Sequence, residues 1–279
     1  MSGIIGIASR GNALPDLLQG LQHLSGNGHQ LCGLVVHGRQ GHTSSPPRLH
    51  RHRQVQGAAA WLQQLRDGPL AHAPGEPLLH GLPNAHSTHH LNEMNGMNDK
   101  KGLNGLHGRV ALGHTSAAGG TGPQALQQAN PHLTHGPQAH LNSPARVAVV
   151  VHGPLHASDA LREALIERDY HFKSDNTAEL LAHLIDATHQ NDPVQALQRA
   201  LGLVQGPACV GVLFHDQPER VFALQRGTPL HVAASPDLLA WASDRQALPK
   251  GLQALPEWRD GQVLEVQAGP QGITHRLHA

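Results

Sequence analysis

Short apolar runs of strand length, set between helices of amphipathic spacing, most constrain what this chain can fold into. Gly3–Ala8 and Gly33–His37 are such runs. Between them Leu14, Leu17, Leu18, Leu21 and Leu24 recur at helical spacing, with Pro15 in the first turn, where a missing N–H is tolerated. Arg48–Val55 alternates basic and other residues beside a Ser-Pro-Pro turn, as in a hairpin arm. Ala58–Leu65 reads as a helix stopped by Asp67-Gly68-Pro69. Val110–Gly113 and Val147–His152 read as strands, the second of them buried. Ser158–Glu167 reads as a helix capped by Ser158, with Asp159 in its first turn. Thr177–Thr188 and Val194–Leu203 add two helices. Val210–His215, Val221–Gln225, Leu230–Ala234 and Val263–Gln267 are strands bounded by turns. Mixed helices and antiparallel-looking strands predict an α+β layered domain.

A length of 279 residues suits one large domain, spanning 1–279, with a substantial core. Net charge is zero with histidine neutral, and only 14% of residues are charged. Without a basic stripe or an aromatic platform, no nucleic-acid partner is expected. No apolar run approaches the roughly 20 residues needed to cross a bilayer, so no membrane is expected either. The N-terminal stretch lacks a basic segment followed by an apolar run, so no signal peptide is expected. Cys32 and Cys209 sit in apolar surroundings and are expected to be reduced and buried, as in a cytoplasmic protein.

Several segments carry more than periodicity. The chain opens Met1-Ser2-Gly3-Ile4-Ile5-Gly6-Ile7-Ala8. Then come Leu21-Gln22-His23-Leu24-Ser25-Gly26-Asn27-Gly28-His29-Gln30-Leu31-Cys32-Gly33-Leu34 and Gly113-His114-Thr115-Ser116-Ala117. Val149-Val150-Val151-His152-Gly153-Pro154-Leu155 and Ser174-Asp175-Asn176-Thr177-Ala178-Glu179-Leu180-Leu181 follow. Gln205-Gly206-Pro207-Ala208, Arg226-Gly227-Thr228-Pro229-Leu230 and Ala242-Ser243-Asp244 close the series. In order and spacing these resemble the motifs of class-II glutamine amidotransferases. The resemblance is to the glutaminase domains of glucosamine-6-phosphate synthase and the purine amidophosphoribosyltransferase. It implies the four-layer αββα sandwich of N-terminal nucleophile hydrolases. It also implies a domain with no synthase or transferase domain fused to it.

The departures from those motifs bear on function. The resemblance implies a cysteine nucleophile after the initiator methionine, and Ser2 stands there. A hydroxyl is harder to ionise than a thiol and needs stronger activation. The arginine that clamps the glutamine carboxylate falls on Ser116, and the aromatic after it on Ala117. The aspartate that takes the substrate's amino group falls on Thr177; a slip of register would instead bring Asp175 into the pocket. The asparagine and glycine of the oxyanion hole fall on Gly153 and Pro154. Proline has no N–H and glycine no side-chain amide. Losing one such donor typically costs on the order of 3 kcal/mol of transition-state stabilisation. The expectation is a catalytically silent domain with a vestigial pocket around Ser116, Ala117, His152 and Thr177. If Met1 is retained, it is expected to pack into that pocket. The alternatives are an active amidohydrolase or amidotransferase subunit using Ser2, or a small-ligand sensor with a remodelled pocket.

Gly68–Gly108 has no counterpart in the resemblance and reads as a His/Asn-rich insertion, a lid or a docking segment. The chain has 25 histidines against one tyrosine and three phenylalanines. Within the insertion, His86, His89 and His90 are the candidate metal ligands if that stretch is helical. The histidines are spread along the whole chain, without cysteine beside them and with few acids nearby. Neither a metal nor a cofactor is therefore expected. Few charges, zero net charge and the extra segment predict a homo-oligomer, with a separate enzyme subunit as a second partner class.

Overall fold

Ser2–Ser9 form β1, and the alternation of its side chains sets up the molecule. Ile4 and Ala8 face one hydrophobic cluster, while Ile5 and Ile7 face another. A strand buried on both faces must lie at the centre of a layered structure. The structure is a computed structural model that describes residues 2–26, 28–40, 46–55, 57–67, 103, 105–117, 122–139, 143–256 and 258–279.

Two antiparallel sheets form the middle layers. The first holds β1 with β2 (Leu31–Gln40), β3 (Arg48–Val55), β4 (Leu106–Ser116), β9 (His231–Ala234), β10 (Leu238–Ala242) and β11 (Gln253–Ala254), in the order β11-β9-β10-β1-β4-β2-β3. The second holds β5 (His132–Thr134), β6 (Val147–His152), β7 (Ala208–Phe214), β8 (Arg220–Arg226), β12 (Val263–Gly269) and β13 (Gly272–His278), in the order β13-β12-β8-β7-β6-β5. Helices α1 (Leu14–Ser25) and α2 (Ala58–Asp67) cover the first sheet through Leu17, Leu21 and Leu62. Helices α4 (Asp159–Ile166), α5 (Thr177–Thr188) and α6 (Pro193–Gly202) cover the second through Leu165, Leu181 and Leu197. A short α3 (Pro123–Gln128) lies before β5. The layers run α, β, β, α, as the resemblance implies.

The contact between the sheets is built around Trp241 on β10, which is fully buried. A Cβ added at Gly6 on β1 would lie 2.2 Å from the indole, and one added at Gly211 on β7 would lie 2.3 Å from its far edge. The ring therefore fills a slot that glycine leaves open in both sheets. Ile4, Leu112, Val150 and Val266 complete the same cluster. These residues alternate along their strands with those that face the helices, so both faces are buried and the strands read as continuous apolar runs.

Several elements differ from expectation. The run Val110–Gly113 is the middle of the longer β4, whose first residues pair Leu106 with Gln40 and His107 with Arg39. Leu106–Gly108 therefore belong to a sheet, not to the insertion. Strands β5, β10, β11 and β13 and helix α3 are not among the elements the sequence pattern predicts, because each is short or lacks clear alternation. Ser158 stands at the N-cap of α4 in extended conformation, but its side chain makes no capping hydrogen bond. Residues 68–102 and 104 lie outside the described residues, as do His86, His89 and His90, so the structure does not bear on their metal-ligand reading. Among the described residues no group of His, Cys, Asp and Glu is arranged to hold a metal ion. Among them too, no helix is long and apolar enough to cross a membrane. Cys32 and Cys209 are buried and free.

Gly6→Ala tests the Trp241 slot. Overpacking of this kind costs about 1–3 kcal/mol, so the melting temperature should fall by roughly 2–4 °C per kcal/mol lost. Thermal denaturation followed by circular dichroism measures this. An unchanged melting point would show that the indole can move aside, and with it that the slot is not tight.

Candidate functional site

Strand parity assembles the site. Ser2 shares the inner face of β1 with Ile4, and His114 and Ser116 share the inner face of β4 with Leu112. His152 shares the inner face of β6 with Val150. Ser2 pairs with Ser116 in the first sheet. All these side chains thus point between the sheets at one end of the sandwich. Ser2 Oγ lies 2.8 Å from His152 Nδ1, linking the first residue of one sheet to the last residue of β6 in the other. His152 is half-buried, and its pKa is lowered mainly by burial. The lowered pKa favours the neutral ring at pH 7; with Nδ1 unprotonated it accepts a hydrogen bond from the Ser2 hydroxyl, and with Nδ1 protonated it donates one.

A cavity of about 280 Å³ opens beside this pair. The Ser116 and Thr177 side chains line it, as do Gly153 and Pro154. Asp175 is exposed and outside the lining, so the described register puts Thr177 and not Asp175 at the cavity. Ala117 is exposed and does not line it, which corrects its inclusion in the pocket. His152 reaches the site through Ser2. Met1 lies outside the described residues.

The wall formed by the start of α5 is held by local hydrogen bonds. The buried Glu179 carboxylate accepts from the backbone of Lys173 at 2.9 Å and of Ser174 at 2.7 Å, and from the Ser174 hydroxyl at 2.6 Å. Asn176 caps α5 by accepting from the Ala178 N–H at 2.9 Å, and its amide donates to the Gln128 carbonyl at 2.7 Å. That bond ties α5 to the end of α3 across the cavity.

The 153–156 turn decides the chemistry. Gly153 has φ 121°, and a Cβ there would lie 2.4 Å from the Pro207 carbonyl oxygen. No asparagine fits on this backbone. Pro154 has no N–H. The Leu155 N–H donates to the Gly153 carbonyl at 3.1 Å, and the His156 N–H to the Gln205 carbonyl at 2.9 Å. The backbone donors after Gly153 are therefore absent or already engaged.

Two groups at this site were not singled out from sequence. His114 is buried with Nδ1 unpartnered, and Asn130 is buried with Oδ1 unpartnered. Both line the cavity. Asn130 is carried there by close packing: a Cβ on Gly33 would lie 2.1 Å from the Asn130 carbonyl oxygen. The glycine of the Cys32-Gly33-Leu34 run was the available signal, but its partner lies far along the chain. Nearby, His29 Nδ1 and Thr115 Oγ1 are 2.9 Å apart.

A larger cavity of about 660 Å³ lies at the opposite end of the strands, roughly 25 Å along β1. Arg39, Arg109, Arg220 and Glu219 line it, but Arg109 pairs with Glu219, and Arg220 with Glu265 at 3.2 Å. None of the residues singled out from sequence reaches it.

No protein-family model matches the chain. Glutamine–fructose-6-phosphate aminotransferase (isomerizing) of Bordetella pertussis is 26% identical over 267 residues, 96% of this chain and 36% of that protein. The enzyme of the same name from Legionella pneumophila strain Paris is 27% identical over 263 residues, covering 94% and 35%. The chain therefore spans about a third of the length of these relatives. The solved structure of glutamine phosphoribosylpyrophosphate amidotransferase from B. subtilis, complexed with ADP and GMP, superposes with a TM-score of 0.66 at 18% identity, over 99% of this chain and 49% of that one. The chain is thus a class-II glutamine-amidotransferase-like domain with the N-terminal nucleophile hydrolase fold.

Buried histidines should make stability pH-dependent. Burial, with neighbouring imidazoles, lowers the pKa of His114 from 6.5 to about 3 and that of His37 to about 4. Burial lowers that of His183 to about 4. The unfolded chain takes up these protons near pH 6.5, whereas the folded chain stays neutral. Their stabilisation is therefore complete above pH 6.5 and is lost as pH falls toward 4, on the order of 1 kcal/mol per pH unit for each histidine. Melting temperatures measured from about pH 7.5 down to 4.5 should fall below pH 6.5. A flat profile refutes the neutral burial of these rings.

Proposed function

We propose that this domain does not hydrolyse glutamine and acts instead as a binding, scaffolding or self-assembling module built on a glutaminase fold. The 153–156 turn carries this reading. A tetrahedral oxyanion formed at Ser2 would find no Pro154 N–H and no side chain at Gly153, and the next two N–H groups are already bonded. The hydroxyls of Ser116 and Thr177, where the family's motifs place an arginine and an aspartate, cannot neutralise the charged ends of glutamine. Gly153 fits its place only without a side chain, so reverting Ser2 to cysteine leaves the turn unrepaired.

One observation favours a second reading. The 2.8 Å contact between Ser2 and His152 resembles a hydroxyl nucleophile with its general base. On that reading the domain is an amidohydrolase or amidotransferase subunit working on a different substrate. Against it, no carboxylate among the described residues is bonded to His152 to orient the ring.

Ammonia release from L-glutamine separates the two. The expected rate equals that of buffer for the unaltered protein, for Ser2→Ala and for Ser2→Cys. Release that Ser2→Ala abolishes would falsify the silent reading and establish the Ser2 nucleophile.

The self-assembly part of the proposal rests on zero net charge and few charged residues. We expect a homo-oligomer at neutral pH that weakens on acidification, as exposed imidazoles gain like charge. Analytical ultracentrifugation from about pH 8 to 5.5 reads this directly. A monomer throughout at micromolar concentration rules it out and leaves a separate protein or a small molecule as the partner.

A further inference from the structure

We propose that the cavity of about 660 Å³ at the far end of the sandwich binds a phosphate group, held between the Arg39 guanidinium at its rim and the His37 imidazole at its floor. This site is separate from the one beside Ser2, and the inference stands whether or not Ser2 has an activity.

A break in strand pairing builds the cavity. His37 and Arg39 of β2 pair with Val110 and His107 of β4, so β4 advances three positions where β2 advances two. A bulge of this kind turns the side chains beyond it onto the other face. Val110 accordingly packs between the sheets, Leu106 packs with residues of α1 and α2, and His107 takes the cavity side. Gly38 lies opposite the bulge, where a Cβ would fall 2.2 Å from the His107 carbonyl oxygen. The turn after β7 and the strands β8 and β12 form the facing wall through Gln217, Arg220 and Gln267.

The lining is basic. Arg39, Arg109 and Arg220 line it, and among the described residues Glu219 brings the one carboxylate. That carboxylate pairs with Arg109, and Arg220 pairs with Glu265, which lies outside the lining, at 3.2 Å. Arg39 is exposed and is bonded to no carboxylate among the described residues. It is the positive charge left for an anion.

The buried end carries an unmatched donor. His37 is 1% exposed, and neither its Nδ1 nor its Nε2 has a hydrogen-bond partner. Burial keeps the ring neutral, so one nitrogen carries an N–H. The Phe214 carbonyl favours the charged ring but meets neither nitrogen in hydrogen-bond geometry. His215 stacks on the ring at 5.8 Å between centroids and 24° between planes, and so fixes its direction. Buried donors are almost always paired, so an orphan N–H below an unmatched guanidinium marks a place for an oxyanion. Donors reach the cavity from β2, from β4 and from the facing sheet, and so surround a point rather than lie in a plane. A phosphate offers oxygens in several directions and up to two charges, whereas a carboxylate offers two coplanar oxygens and one charge.

Inorganic phosphate and β-glycerophosphate are the probes, with acetate as the planar anion, all at one ionic strength. Phosphorus NMR titration and isothermal titration are run on the full chain at about pH 7.5, where phosphate is mainly dianionic. Saturable phosphate binding is expected with a Kd on the order of 1 mM, and none for acetate. Tighter binding of the ester supports the site and makes an organic phosphate its ligand; tighter binding of the free ion supports it and makes phosphate itself the ligand. Arg39→Gln should weaken binding about tenfold, with Arg39→Lys in between. His37→Phe keeps a flat ring against His215 but has no N–H, and should weaken it as much. If that variant does not fold, the exposed Arg39 decides. Lys250→Gln removes an exposed cation outside the lining and should change nothing. The proposal is overturned if phosphate does not bind, if acetate binds as well, if Arg39→Gln leaves binding undiminished, or if Lys250→Gln weakens it as much.

Discussion

The Trp241 indole, lodged between Gly6 of one sheet and Gly211 of the other, is the contact on which the rest of the structure depends. It fixes how closely two twisted sheets approach, in a layer where spacing is normally about 10 Å and is set by interdigitating side chains. Neither glycine can carry a side chain without displacing the ring. Because β1 and β7 are central strands of their sheets, their separation is transmitted to the strand ends. There it brings Ser2 within 2.8 Å of His152.

Among the described residues, the side chains that line the resulting cavity are polar or apolar, without Lys, Arg, Asp or Glu. Its groups are hydroxyls, amides and imidazoles that burial keeps neutral. Such a lining can orient a ligand, but it offers little to stabilise charge that develops in a transition state. The turn at Gly153–Pro154 points the same way. It packs against Gly206–Ala208 so tightly that Gly206 too has no room for a side chain, a Cβ there falling 2.2 Å from the Pro154 carbonyl oxygen. The shape of this turn is thus built into the backbone of two neighbouring segments rather than confined to one residue.

Histidine excess has a divided physical meaning here. Part of it is buried as neutral, aromatic-like core. His183 packs against Tyr170 and Phe172 at centroid distances of 5.0 and 4.7 Å, in a chain with few true aromatics. Those rings tie folding to pH.

The layers and one side of the site were legible in the order of residues alone. Short apolar runs such as Ile4–Ala8 and Val147–His152, and the leucine spacing of α1, are local patterns that a buried strand and an amphipathic helix satisfy. The motif order placed Ser2, Ser116, Gly153, Pro154 and Thr177 around one cavity, and the structure brings those five together. Tertiary structure alone decided the rest. Strands β10 and β13 carry little local signal and exist because neighbouring strands need partners. Ala117 turns outward because it follows the last paired residue of β4. Asn130 and His114 become site residues through packing against Gly33 and across the sheet interface, contacts between positions far apart in the chain. The engagement of the Leu155 and His156 N–H groups was likewise invisible, because a hydrogen-bond donor is free or spent only once its neighbours in space are known.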